Sequence, residues 1–149
     1  MIQFKRKVSM SLMALLLVSI TAWAGGKTTQ SKKTSAFNWN PVMDAIIQVE
    51  SGGDPNAKSG NSVGAMQITP ILVRECNNIL KKQKSDKRYT LKDRYSVEKS
   101  KEMFLLIQKH FNPENNVEKA IRSWNGGRSY SVRATNRYYQ KVLARMKKK

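Results

Sequence analysis

The stretch Asn40-Pro41-Val42-Met43-Asp44-Ala45-Ile46-Ile47-Gln48-Val49-Glu50-Ser51-Gly52-Gly53 constrains the fold of this chain more than any other. Val42, Ala45, Ile46 and Val49 recur at i, i+3, i+4 and i+7, the spacing of a helix with one apolar face. Asn40 is placed to cap the first amides, and Pro41 fits the first turn, where its missing N–H has no partner to lose. Gly52-Gly53 ends the helix, because glycine enters the left-handed region at little cost. The same spacing returns several times downstream, and no run alternates convincingly with period two. The chain reads as an all-α, single-domain fold, with room for a small β-hairpin within residues 58–68.

The later elements follow from similar signals. Asp54-Pro55-Asn56 and Ser59-Gly60-Asn61 are turn formers, so residues 52–64 form a loop. Thr69 caps a second helix opened by Pro70 and running to about Leu80. Residues 81–94 carry seven Lys and Arg against Asp86 and Asp93, which predicts a solvated basic loop. Ser96 caps a long helix whose face holds Val97, Phe104, Ile107 and Phe111, flanked by Met103, Leu106 and His110. Pro113 opens the next helix, with Val117, Ala120, Ile121 and Trp124 on one stripe, and Asn125-Gly126-Gly127 stops it. Tyr139, Val142, Leu143 and Met146 mark a final helix.

Glu50 lies four residues after Ile46 and three after Ile47, beside the apolar stripe. A carboxyl half-buried there is poorly solvated as an anion, so it holds its proton to higher pH, as a general acid must. The plainer reading is a surface Glu near a helix end. The single cysteine, Cys76, sits between Val73 and Leu80 at helical spacing and reads as a small buried thiol. One His and one Cys offer no zinc ligand set, and His110 reads as an edge residue. Neither a cofactor nor a metal is expected.

Residues 1–24 have the form of a secretory signal: Lys5, Arg6 and Lys7, an apolar run from Val8 to Ile20, then Ala22-Trp23-Ala24. An uncleaved anchor is the alternative. Export to the periplasm or cell envelope is the expectation. Residues 25–37 are small, polar and basic, as in a flexible leader. The chain carries 28 Lys and Arg against 10 Asp and Glu, a net charge of +18, and stays strongly basic without the first 24 residues. Such a charge calls for an anionic partner. Nucleic acid is the common one, but export favours an acidic wall polymer, and no nucleic-acid recognition motif is present.

Four stretches then fall in order: Glu50-Ser51 before a Gly-rich turn, Gly64-Ala65-Met66-Gln67-Ile68-Thr69-Pro70, Ser123-Trp124-Asn125-Gly126-Gly127, and Thr135 followed by Tyr138 and Val142. Between the first two lies Pro55-Asn56-Ala57-Lys58-Ser59. Together these resemble the lytic transglycosylase domain of the soluble type, a relative of goose-type lysozymes, over residues 38–146. The family pattern has Ala-Tyr where this chain has Ser123-Trp124, and commonly Leu at the position of Ala65. The resemblance implies a lysozyme-like domain that cleaves the β-1,4 bond between N-acetylmuramic acid and N-acetylglucosamine in peptidoglycan. It implies Glu50 as the catalytic acid, later the base. It also implies that the substrate's N-acetyl group supports the cationic transition state and the sugar's C6 hydroxyl attacks, leaving a 1,6-anhydro end.

Ser51, Met66, Gln67, Asn125 and Tyr138 are the candidate substrate-binding residues. Each has a plainer reading: a carbonyl cap for Ser51, core packing for Met66, surface polarity for Gln67, a left-handed helix cap for Asn125, ordinary packing for Tyr138. Trp124 reads as core or cleft wall. No second carboxylate stands out, since Asp54 sits in a turn, Asp44 on another helix face, and Asp86 and Asp93 in the basic segment. The alternatives are a hydrolytic muramidase on the same fold and a non-catalytic wall-binding module. The chain is expected to act as a monomer on glycan strands, and a cell-envelope secretion or conjugation machine is a conceivable setting.

Overall fold

The computed structural model describes residues 36–147. The expected secretory signal and all but the end of the basic leader lie outside the described residues. Helix α1 spans Asn40–Glu50, strands β1 and β2 span Lys58–Ser59 and Ser62–Val63, α2 spans Pro70–Lys82, a 3-10 turn spans Leu91–Tyr95, α3 spans Val97–Phe111, α4 spans Val117–Gly126 and α5 spans Val132–Met146. The architecture is mostly helical, as expected for a lysozyme-like fold, and the small hairpin falls within 58–68. Its strands pair antiparallel, Lys58 opposite Val63 and Ser59 opposite Ser62, and a further bridge joins Val63 to Ile68. Among the described residues no helix is long and apolar enough to cross a membrane.

The core gathers the inner face of α1 with residues of every other helix. Ile46, Met66, Met103, Phe104, Ile121 and Val142 are all completely buried. Each contributes about 1.5–3 kcal/mol relative to an exposed side chain. Trp39 stands edge-on to Phe104 at 5.6 Å, and Trp124 packs on the same ring at 5.2 Å. Helix α5 packs on both α1 and α4, which brings residues nearly 90 positions apart to one place.

Three local expectations need correction. Asn40 is inside α1 and does not cap it. The side chain of Asn38 accepts from the Asn40 N–H at 3.0 Å, and buried Trp39 is the cap residue without a side-chain cap. Burial of the indole fixes where the helix begins and leaves Asn38, one residue further out, to satisfy an amide. Pro113 does not open α4. Asn112 is buried and its side chain holds the 112–116 turn, donating to Gln108 Oε1 and the Asn116 carbonyl and accepting from the Asn116 N–H. Asn116 then caps α4. The basic segment 81–94 is only partly solvated. Helix α2 occupies its first two residues, and Tyr89 is buried, with its backbone N–H and carbonyl both bonded to the side chain of Asn77 at 2.8 Å.

The face of α3 is also rotated from the expected one. Ser100, Met103, Phe104 and Gln108 are buried, whereas Val97 is exposed and Phe111 half-buried. Ser100 and Gln108 escape an apolar pattern because their polar atoms find partners inside, the Arg94 carbonyl and Asn112.

Gly64 is the tightest point of the hairpin region. Its φ is +79°, and a Cβ there would lie 1.9 Å from the Arg94 carbonyl oxygen. Backbone cannot retreat as a flexible side chain does. Gly64→Ala is expected to lose about 3 kcal/mol or more through left-handed strain and overpacking. That lowers the thermal midpoint by on the order of 10 °C. A melt within a degree or two of wild type would show that the 3-10 turn is free to move away.

Candidate active site

Glu50 is the last residue of α1, and Ser51 closes the helix before the chain reverses through Gly52 and Gly53, at φ +65° and +99°. The reversal leaves the Glu50 side chain facing α5. There the hydroxyl of Tyr138 donates to Glu50 Oε1 at 2.7 Å. Burial holds the Glu50 carboxyl above its ordinary value, and the Tyr138 hydrogen bond offsets part of that rise by favouring the anion. Burial, reinforced by the negative charge and hydrogen bond of Glu50, pushes the Tyr138 phenol far above its usual range. The phenol is therefore a fixed donor over the whole working pH range.

Ser51 joins α1 to the Gly64–Thr69 loop. Its hydroxyl lies 2.9 Å from the Ala65 carbonyl and 3.3 Å from that of Ile47, and it accepts from the Gly53 N–H at 3.1 Å. One hydroxyl has one proton to give, and the shorter contact to Ala65 takes it. Gln67 acts on the same loop. Its side-chain N–H groups donate to the carbonyls of Gly64 and Ala57 at 3.0 and 3.2 Å, and its backbone is left-handed at φ +50°. Trp124 completes the set, donating from Nε1 to the Met66 carbonyl at 3.3 Å. Three consecutive carbonyls, of Gly64, Ala65 and Met66, thus accept from side chains of the loop itself, of Ser51 at the end of α1, and of α4. The four sequence stretches singled out above are physically joined: the first to the second through Ser51, the second to the third through Trp124, and the fourth to the first through Tyr138.

This arrangement bears differently on each candidate. Glu50 and Tyr138 are in direct contact. The donors of Ser51 and Gln67 are committed to the loop, which leaves the Gln67 carboxamide oxygen as the group without a partner among the described residues. The side chain of Met66 is fully buried and underlies the loop without reaching solvent. Asn125 is exposed in the last turn of α4, and the left-handed cap is Gly127 at φ +74°. Asn125 is therefore not the helix cap. It lines, with Thr69, Leu72, Phe111 and Trp124, a cleft of about 490 Å³ that Thr69, the end of the Gly64–Thr69 loop, borders.

Other acids have separate employment. Asp54 accepts from the Asn56 N–H at 2.8 Å in a turn. Asp44 pairs with Lys101 at 2.7 Å, and Asp93 bonds back to Thr90. Cys76 is buried, and burial above all pushes its thiol up to about 12. His110 is exposed. No metal-ligating cluster is found among the described residues.

Arg122 is a residue that periodicity passed over. It is buried between Ile121 and Ser123 yet donates to Glu118, to the Val132 carbonyl and to Thr135, and its guanidinium covers the Tyr139 ring at 4.2 Å. It fixes the first turn of α5 and with it the height of Tyr138. The available signal was Glu118 four residues before an Arg that interrupts an apolar stripe.

No curated protein and no solved structure matches the chain. A comparison with protein families matches residues 27–145, most of the sequence and all four joined stretches, to the transglycosylase SLT domain. The chain belongs to the transglycosylase SLT domain family, whose enzymes act on peptidoglycan.

Proposed function

We propose that this protein is an exported lytic transglycosylase that cleaves the bond between N-acetylmuramic acid and N-acetylglucosamine and closes the muramic acid end as the 1,6-anhydro sugar. The observation that carries the reading is Glu50, desolvated and bonded to Tyr138, beside a loop pinned by three side-chain donors. Breaking a glycosidic bond requires a proton on a poor leaving oxygen. A carboxyl whose proton is held by burial can give it. As the proton leaves, the growing negative charge on Glu50 is met by the Tyr138 hydroxyl, a donor already in place. The carboxylate then takes the proton of the C6 hydroxyl as that oxygen attacks, which returns Glu50 to its starting state. The substrate's acetamido group supports the positive charge that most glycosidases meet with a second carboxylate. The Gln67 carboxamide oxygen and exposed Asn125 are the groups offered to the glycan.

Export is supported by the charged start, apolar run and Ala22-Trp23-Ala24 of the first 24 residues. Basic charge would concentrate the enzyme at an anionic wall, an association weakened by added salt. The first test is a digest of purified peptidoglycan. Release of soluble muropeptides is expected, and tight wall binding without release would make the chain a non-catalytic module.

Asp54 separates this reading from a two-carboxylate hydrolase. Because its side chain serves a turn at an exposed position, Asp54→Asn is expected to change turnover by less than about threefold, since Asn makes the same turn bond. A loss as deep as that of a Glu50 variant, in a protein with a normal melt, would assign Asp54 the second carboxylate's task.

A further inference from the structure

All ten Asp and Glu lie at or before Glu118, whereas residues 119–149 carry ten Lys and Arg. Within that stretch Arg122 pairs with Glu118, and Arg128 covers the Phe111 ring. Four others, Arg133, Arg137, Lys141 and Arg145, stand four residues apart along α5, and all are exposed. None has an ion-pair partner among the described residues. At about 1.5 Å of rise per residue they follow one another every 6 Å or so over about 18 Å, and the row turns by roughly 120° around the helix.

Helix stability does not account for this row. Like charges at i and i+4 repel, and α5 holds three such pairs with no acid of its own to offset them. Arg133 stands in the first turn, where the helix dipole disfavours a cation. The segment 81–94 is basic in a different way. Lys87 pairs with Glu102, Arg88 donates to the Ser85 and Lys87 carbonyls, and Arg94 donates to those of Leu91, Asn61 and Ile68. Several of its cations hold the fold together, and the four of α5 do not.

The rest of the helix surface decides what the row fits. Ala134, Asn136, Gln140 and Ala144 are exposed, small or uncharged, so nothing bulky keeps the cations from a broad surface. Single-stranded nucleic acid asks for a groove and for free aromatic faces. The row is a convex fan, Tyr138 is bonded to Glu50, and Arg122 covers the Tyr139 ring. Val132, at the head of α5, is the helix's exposed large apolar residue, too little for insertion into lipid. A convex patch that is almost purely cationic complements a layer of phosphate headgroups.

We propose that the outer face of α5 docks on an anionic phospholipid surface, with Arg133, Arg137, Lys141 and Arg145 taking lipid phosphates. Tyr138 reaches Glu50 from the inner side of the same helix. Docking therefore sets Tyr138 and Glu50 little more than one helix diameter, about 10–12 Å, from the headgroups. It confines cutting to glycan at the membrane-facing edge of the wall, a consequence that rests on the peptidoglycan reading above. The docking itself does not rest on it.

The full chain is sedimented with vesicles of phosphatidylglycerol and phosphatidylcholine, and with vesicles of phosphatidylcholine alone. The quantity read is the excess affinity for the anionic vesicles, since the apolar run at residues 8–20 acts equally on both. A clear excess is expected at low salt, and its absence would overturn the proposal. Each cation near an anionic bilayer contributes about fivefold in affinity. Replacing Arg133, Arg137, Lys141 and Arg145 together by Gln is expected to cut the excess by about a hundredfold or more. That variant should melt at or above wild type, because the repelling pairs are gone. Replacing exposed Lys81, Lys82, Lys84 and Lys92 by Gln removes the same charge elsewhere and should cost less than about tenfold. Equal losses from the two variants would mean attraction by net charge alone, against the proposal. Full displacement from the vesicles by polyphosphate at matched phosphate concentration would make α5 a site for a linear polyanion, also against it. Glu50→Gln should bind vesicles as wild type does, so the docking stands or falls separately from the enzymatic reading.

Discussion

Glu50→Gln is expected to lower turnover on peptidoglycan by about a thousandfold or more while leaving the fold intact. Gln keeps the size of the side chain and an oxygen to accept from Tyr138, but it has no acidic proton for the leaving oxygen. The variant should also be no less stable, and the sign follows from the burial of the carboxyl. The folded-state value of Glu50 is raised above the ordinary 4.5. Between those two values the folded protein holds a proton that the unfolded chain has lost, so stability falls as pH rises through that window. Gln carries no such dependence. The variant should therefore melt at or above wild type at neutral pH, with the gap closing as pH falls below about 4.5, the ordinary glutamate value. Paired melts and turnover assays check both parts. A folded Glu50→Gln protein with near wild-type turnover would remove Glu50 from the chemistry.

Tyr138→Phe comes second in size. The phenol donates to Glu50 at 2.7 Å from a half-buried position. A hydrogen bond to a charged group contributes about 2 kcal/mol, roughly thirtyfold in rate if it is made chiefly to the anion formed in the transition state. The pH profile separates this role from mere packing. Burial raises Glu50 and the Tyr138 bond opposes the rise, so removing the bond should raise the carboxyl further and move the alkaline limb of turnover to higher pH. A rate loss with an unmoved limb would make Tyr138 a packing residue only. Arg122, which sets the start of α5, should affect Tyr138 indirectly, and Arg122→Lys is expected to lose stability before it alters the pH limb.

How much of this was legible in the sequence varies with the physics involved. The apolar spacing of Val42, Ala45 and Ile46 and the glycines at 52 and 53 are local signals, and α1 ends where they say. Thr69, Ser96 and Asn116 cap their helices through side chains acting on amides three residues ahead. The cap of Asn116 competed with a proline three positions earlier, and sequence alone favours the proline. What could not be read are partners far along the chain. Ser51 reaches Ala65, Trp124 reaches Met66 and Asn77 reaches Tyr89. Each is a small polar or amphipathic side chain whose local environment looks like surface or core, and whose task is to satisfy a distant backbone carbonyl. The contact between Tyr138 and Glu50 was foreshadowed by the fourth stretch, Thr135 followed by Tyr138 and Val142, and by a tyrosine standing one residue off its apolar stripe.

The mechanism is tested most directly by the origin of the oxygen at the new muramic acid end. Peptidoglycan is digested in water enriched in heavy oxygen, and the muropeptides are weighed by mass spectrometry. Attack by the sugar's own C6 hydroxyl closes the ring, so the predicted products are anhydro ends, lighter by one water and free of label. Predominantly reducing ends carrying the heavy oxygen would mean that water attacks, and the protein would then be a hydrolase built on the transglycosylase fold.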